Sequence, residues 1–140
     1  MMSDAAILDD LRRRVDDSPF HRGFGLTVED AAAGMVRLGW SAKEEHLNLQ
    51  GLVHGGVLAT LADVAMGLAV RTAIAPGRRH VTIELGVHYL RPASPGDVHA
   101  VGRVVRVGRQ IAFAEADVLD GGERLLARGS GTYSVTAPRA

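Results

Sequence analysis

The chain has 140 residues with 46% hydrophobic content, enough for one domain with a buried core and too short for a second. Sixteen Lys and Arg balance sixteen Asp and Glu and the isoelectric point is near 7, which argues against nucleic acid or an anionic membrane as the main partner. Cysteine is absent, which excludes a disulfide framework, a thiol nucleophile and a cysteine-bound metal.

The N-terminus, M-M-S-D-A-A-I-L-D-D, is acidic and lacks the basic and apolar regions of a signal peptide, so the expected compartment is the cytoplasm. Residues 4 to 17 place Ile7, Leu8, Leu11 and Val15 at helical spacing, which predicts a short amphipathic helix stopped by Ser18-Pro19. Its Arg12, Arg13 and Arg14 read as a solvated face. From Gly23 to Ala42 the period becomes two, with Met35, Leu38 and Trp40 apolar and a turn at Gly34, which predicts a hairpin. A polar loop after Lys43, Glu44 and Glu45 leads to a long helix that Pro76-Gly77 should stop near Ala75. Strands are expected at about 79 to 91, 97 to 107, 110 to 119 and 123 to 135, broken by P-A-S-P-G, V-G-R-Q and Asp120-Gly121-Gly122. One helix between a strand pair and a run of hairpins is an α+β plan, a curved antiparallel sheet around a central helix. The span 1–140 then forms one domain, with an N-terminal helix over 1–18 and the core over 19–136.

The stretch 48–72 carries the chemistry. Between Val57 and Val70 the only polar side chains are Thr60 and Asp63, which predicts a helix apolar on every face and therefore buried. An ionised carboxylate buried without a partner costs several kcal/mol, on the order of what a whole domain can spare, so Asp63 needs a compensating partner or a chemical role. Ahead of it, Gly55 and Gly56 leave the first helical amides uncovered, a place for a phosphate, a carboxylate or the oxyanion of a reacting carbonyl. The same glycines would also permit tight packing at a turn. Asp63 lies about 12 Å along the helix axis from Gly55 at 1.5 Å per residue, too far for one carbonyl to touch both on a single helix. If both serve one reaction, they come from two subunits across a two-fold interface.

The pattern N-x5-H-G-G-x6-D, with Thr82 opening the strand V-T-I-E-L-G-V-H-Y-L-R-P-A, resembles the hotdog-fold acyl-CoA thioesterases of the phenylacetate-pathway (PaaI-like) type, over roughly residues 19 to 135. The resemblance implies a hotdog fold, homodimers often paired into tetramers, an acyl-CoA substrate and hydrolysis of its thioester. It implies Asp63 as general base toward water or as nucleophile toward the carbonyl. It further implies the Gly55 backbone N–H as oxyanion donor, with Gly56 permitting the turn. Asn48 matches a polar residue that orients the thioester or the attacking water, although an Asn there also suits an Asx turn. His54 is expected to fix the loop by hydrogen bonding rather than to act as base. Thr82 matches a hydroxyl near the carboxylate, although threonine also suits a strand.

The anionic leaving group asks for cations at the rim, and Arg91, Arg109, Arg78 and Arg79 are the candidates at strand ends. Arginine supplies 15 of the 16 basic residues, which weakens any one assignment. His21, His46, His54, His80, His88 and His99 show no HxxxH or HxH spacing, so neither a metal nor a cofactor is assigned. Two other readings stand beside hydrolysis: a hotdog hydratase or dehydratase using His54 and Asp63 as acid and base, and a non-enzymatic acyl-CoA binding module. The stretch from Val57 to Ala75 is long enough for a membrane span, but Asp63, Arg71 and many Ala and Gly residues speak against one.

Overall fold

Six strands build one antiparallel sheet and a single long helix lies across its inner face. The strands are β1 (Thr27–Ala32), β2 (Met35–Ala42), β3 (Arg79–Tyr89), β4 (Gly96–Val107), β5 (Ile111–Asp120) and β6 (Leu125–Thr136), in spatial order β1-β2-β4-β5-β6-β3. Helix α3 (Gly55–Ala73) packs on β2 to β6. This is the expected hotdog arrangement. The computed structural model describes residues 2–138; residue 1 and residues 139–140 of the expected domain span lie outside the described residues.

Alternation decides which side chains meet the helix. On β5, Ala112, Ala114, Ala116 and Val118 face inward and are buried, while Ile111, Phe113 and Glu115 face out. On β2 the buried set is Val36, Leu38, Trp40 and Ala42; Met35, expected to be inside, is half-exposed because it lies one residue out of phase with them. The inner surface is lined by small residues, and so is the helix at Ala62, Ala65 and Ala69. The closest approach is at Gly102 of β4, where an added Cβ would stand 2.2 Å from the Ala65 carbonyl oxygen. A side chain there would push α3 off the sheet.

Helix α1 (Asp4–Asp17) forms as the spacing predicts, capped by Ser3 and burying Ile7, Leu11 and Val15. A second short helix, α2 (Pro19–Phe24), follows where only a stop is expected. Proline ends a preceding helix but is equally suited to open the next, since its missing N–H is unneeded in the first turn. Gly25, at φ +83°, then ends α2. Helix α3 stops at Ala73, two residues earlier than expected, with Ile74 already extended.

The expectation that α3 is buried on every face is corrected. Leu58, Leu61, Ala62, Ala65, Met66, Ala69 and Val70 are buried against the sheet, while Thr60, Asp63, Val64 and Leu68 form a half-exposed stripe in the single chain. By length and composition α3 could cross a membrane, a test that the core helix of a soluble protein also passes, and half of its apolar window is packed inside this fold. At the sheet's edge β3 is bare, with Val81 64% and Ile83 57% exposed.

Candidate functional site

The start of α3 is organised by His54. Its side-chain Nδ1 accepts the Gly56 N–H at 2.9 Å, and its own N–H donates to the His46 carbonyl at 2.9 Å. The Gly55 N–H donates to no atom among the described residues. It is an amide at the positive end of the helix dipole with its hydrogen available. Above it lies Tyr89, whose hydroxyl donates to the Gly55 carbonyl at 2.6 Å; a Cβ on Gly55 would meet the Tyr89 ring at 3.2 Å. Asn48 forms the Asx turn: its Oδ1 accepts from the Gln50 N–H at 2.9 Å and the Leu52 N–H at 3.2 Å. The side-chain nitrogen Nδ2 of Asn48 bonds to nothing among the described residues, so that end of the side chain is available to a substrate. Asn48, Gly55, Leu58, Tyr89 and Arg91 line a cleft of 330 Å³ with an otherwise mainly apolar wall.

Two turns further along α3, Asp63 is half-buried rather than buried as expected, and it is hydrogen-bonded. Its Oδ1 accepts from the Thr82 hydroxyl at 2.9 Å and from the Tyr133 hydroxyl at 2.8 Å. Tyr133 also reaches the Asp63 backbone carbonyl at 3.1 Å. Burial, reinforced by the negative charge of Asp63, pushes the Tyr133 hydroxyl above the usual tyrosine range, so it stays a proton donor. Beside them, burial and the nearby Arg71 pull His80 below the usual histidine range, against the opposing pull of Asp63. Neutral imidazole is favoured there.

One chain therefore holds Gly55, Gly56, His54, Asn48 and Arg91 at one place, and Asp63 with Thr82 at another. Asp63 is not among the residues of the cleft at Gly55. The arginines separate likewise. Arg78 donates to the Arg109 carbonyl and both line a groove with Gln110 and Thr136, while Arg79 joins Arg14, Arg71 and His80 around a second groove. Among the described residues no group of three or more His, Asp or Glu side chains could hold a metal ion.

Tyr133, Tyr89 and His80 are additions to the residues expected from sequence. Tyr133 carried a signal: it falls on the inward-facing alternation of β6 with Gly129, Gly131 and Val135, and a buried phenol needs a hydrogen-bond partner. The one carboxylate on the central helix was available to supply it.

Residues 50–127 match the model of the thioesterase superfamily. A protein of Halobacterium salinarum with a provisional esterase name is 43% identical over 94% of this chain and 93% of its own length. Human acyl-coenzyme A thioesterase 13 is 34% identical, covering 81% of this chain and 82% of its own. Among solved structures, a mutant of the phenylacetic acid degradation protein PaaI of Thermus thermophilus superposes with a TM-score of 0.76 at 32% identity, covering 84% of this chain and 98% of that one.

Proposed function

Because the chain belongs to the thioesterase superfamily and is a thioester hydrolase, we propose that it cleaves an acyl-CoA to free acid and coenzyme A at sites shared between two subunits. The observation that carries this reading is the uncommitted Gly55 amide at the start of α3, in a cleft next to the free end of Asn48. The thioester oxygen accepts that N–H, and negative charge developing on the oxygen is stabilised by it and by the helix dipole. Asp63 takes the proton of a water that attacks the carbonyl carbon. The tetrahedral intermediate collapses, the C–S bond breaks, and the thiolate leaves with the electron pair and is protonated to free coenzyme A. In the nucleophilic variant the carboxylate itself attacks, and water then opens the mixed anhydride.

The second subunit enters through β3. A bare edge strand with exposed Val81 and Ile83 is a template for pairing with another copy. Antiparallel pairing about a two-fold axis near Leu85 and Gly86 would set Thr82 beside Tyr89 of the partner subunit. The Asp63 end of one chain would then face the Gly55 end of the other, which a single helix cannot achieve. It would also bring Arg78 and Arg79 toward the partner's Arg91, gathering cations for the coenzyme A phosphates. The homodimer is the minimal unit in this reading, and a dimer of dimers keeps the same sites.

Thiol release tests the reaction. With acetyl, medium-chain, long-chain, phenylacetyl and hydroxybenzoyl thioesters, at least one should liberate thiol in proportion to enzyme. A change in enoyl absorbance with no thiol would instead identify a hydratase, and binding without turnover a binding module. The engagement of His54 Nδ1 with the Gly56 amide accords with the expected role of His54 in fixing the loop, and product analysis separates hydrolysis from the hydratase reading.

A further inference from the structure

The phenol of Tyr133 has a built seat. The side chain is 1% exposed on β6, and its ring lies against two glycines, Gly131 of its own strand and Gly67 of α3. A Cβ on Gly131 would stand 2.8 Å from the ring, closer than a side chain tolerates. Phenylalanine would fill this seat as well, and without a buried hydroxyl to satisfy. The hydroxyl is therefore accounted for by what it touches: Asp63 at its Oδ1 and at its backbone carbonyl, with the Thr82 hydroxyl alongside.

Thr82 donates to that same Oδ1, and Oδ2 accepts from no donor among the described residues. A carboxylate turns readily about its last torsion, a broad and shallow one, and would otherwise present either oxygen in a range of directions. Two donors on one oxygen, from two different strands, remove that freedom. From this geometry we infer that Tyr133 is a positioning residue for hydrolysis: with Thr82 it pins Oδ1 of Asp63 so that Oδ2 alone is turned toward the water or the thioester carbon. The inference rests on the proposed catalytic role of Asp63. It names Oδ2 as the oxygen that takes the proton, or that forms the bond in the nucleophilic variant. It also gives β6 a part in the site, through a residue 70 positions from the carboxylate it holds.

The test is Tyr133→Phe, which keeps the ring and deletes the hydroxyl, measured by thiol release with a substrate the wild type cleaves. A hydrogen bond to a charged group is strong enough that kcat should fall about tenfold or more, with KM changed less than about twofold. Tyr133→Phe with Thr82→Ala should lose more than the product of the two single losses, because each donor alone still restrains Oδ1. Placed on Asp63→Asn, which is itself slowed, Tyr133→Phe should cost nothing further. A fold-loss on that background equal to the loss in wild type would mean that Tyr133 acts on the fold and not through Asp63, and would overturn the inference. Wild-type kcat in Tyr133→Phe, with Asp63→Asn slowed, would overturn it while leaving the Asp63 assignment standing. Near-full activity of Asp63→Asn would remove both. If Tyr133→Phe proves unstable, Thr82→Ala on the exposed edge strand must show the same kcat loss, unchanged KM and silence on Asp63→Asn, or pinning of Oδ1 is refuted.

Discussion

Asp63→Asn should lower kcat by about a hundredfold or more, the usual range for loss of a general base, and leave the fold intact. The hydrogen bonds explain why this substitution is clean. Thr82 and Tyr133 both donate to Oδ1, and an asparagine carbonyl oxygen can accept both. The amide nitrogen then takes the place of Oδ2, where it is neither a base nor a nucleophile. Thermal denaturation should show a stable protein, and steady-state thiol release should show the lost rate. If Asp63→Asn kept near-full activity at neutral pH while Asp63→Ala unfolded, the carboxylate would be holding the Tyr133 and Thr82 hydroxyls for structure only.

Gly55→Pro should lower kcat by about a hundred- to a thousandfold with little change in KM, the signature of a donor felt in the transition state. Proline suits the first helical position, where His54 caps and α3 begins, so the helix should form without the Gly55 N–H. The ring also adds a Cβ, which would meet Tyr89 at 3.2 Å. Gly55→Ala separates the two effects, since it brings the same Cβ and keeps the N–H. The Tyr89 ring is half-exposed and can give by a few tenths of an ångström, so Gly55→Ala should lose only a fewfold. Equal losses in the two variants would place the defect in crowding against Tyr89 and would take the Gly55 amide out of the mechanism.

How much of the fold was legible in the sequence depends on how local each signal is. Gly34, at φ +82°, and the Gly108 and Asp120 turns punctuate strands of clear alternation, and the sheet follows from them within a residue or two. Helix α2 was not legible because Pro19 serves both as a stop for α1 and as the first residue of α2. The residues from Asn48 to Asp63 were legible because they lie together in the chain. Tyr133 was legible only as an inward-facing phenol in need of a partner; its approach to Asp63 depends on the pairing of β6 with both β5 and β3, which no local pattern reports. The partial exposure of Asp63 is not legible for a related reason. The outer stripe of α3 is apolar at Val64 and Leu68, so composition reads as burial, although the strands of one chain do not cover it. The arginines gave little because nearly all the basic residues are arginine, and the fold spreads Arg78, Arg79, Arg91 and Arg109 over three different surface clefts.

The central claim is that each site draws its oxyanion donor from one subunit and its carboxylate from the other, and mixing two inactive variants tests it most directly. Asp63→Asn and Gly55→Pro are purified separately, exchanged, and shown by native mass spectrometry to form mixed dimers. Each mixed dimer pairs one intact helix start with one intact carboxylate, giving one working site of two, whereas each parent homodimer has none. With random exchange at equal amounts about half of the dimers are mixed, so thiol release should recover to roughly a quarter of the wild-type rate. Mixed dimers that form and stay as inactive as their parents would contradict the shared site, and would return both groups to a single chain in which the structure holds them two helical turns apart.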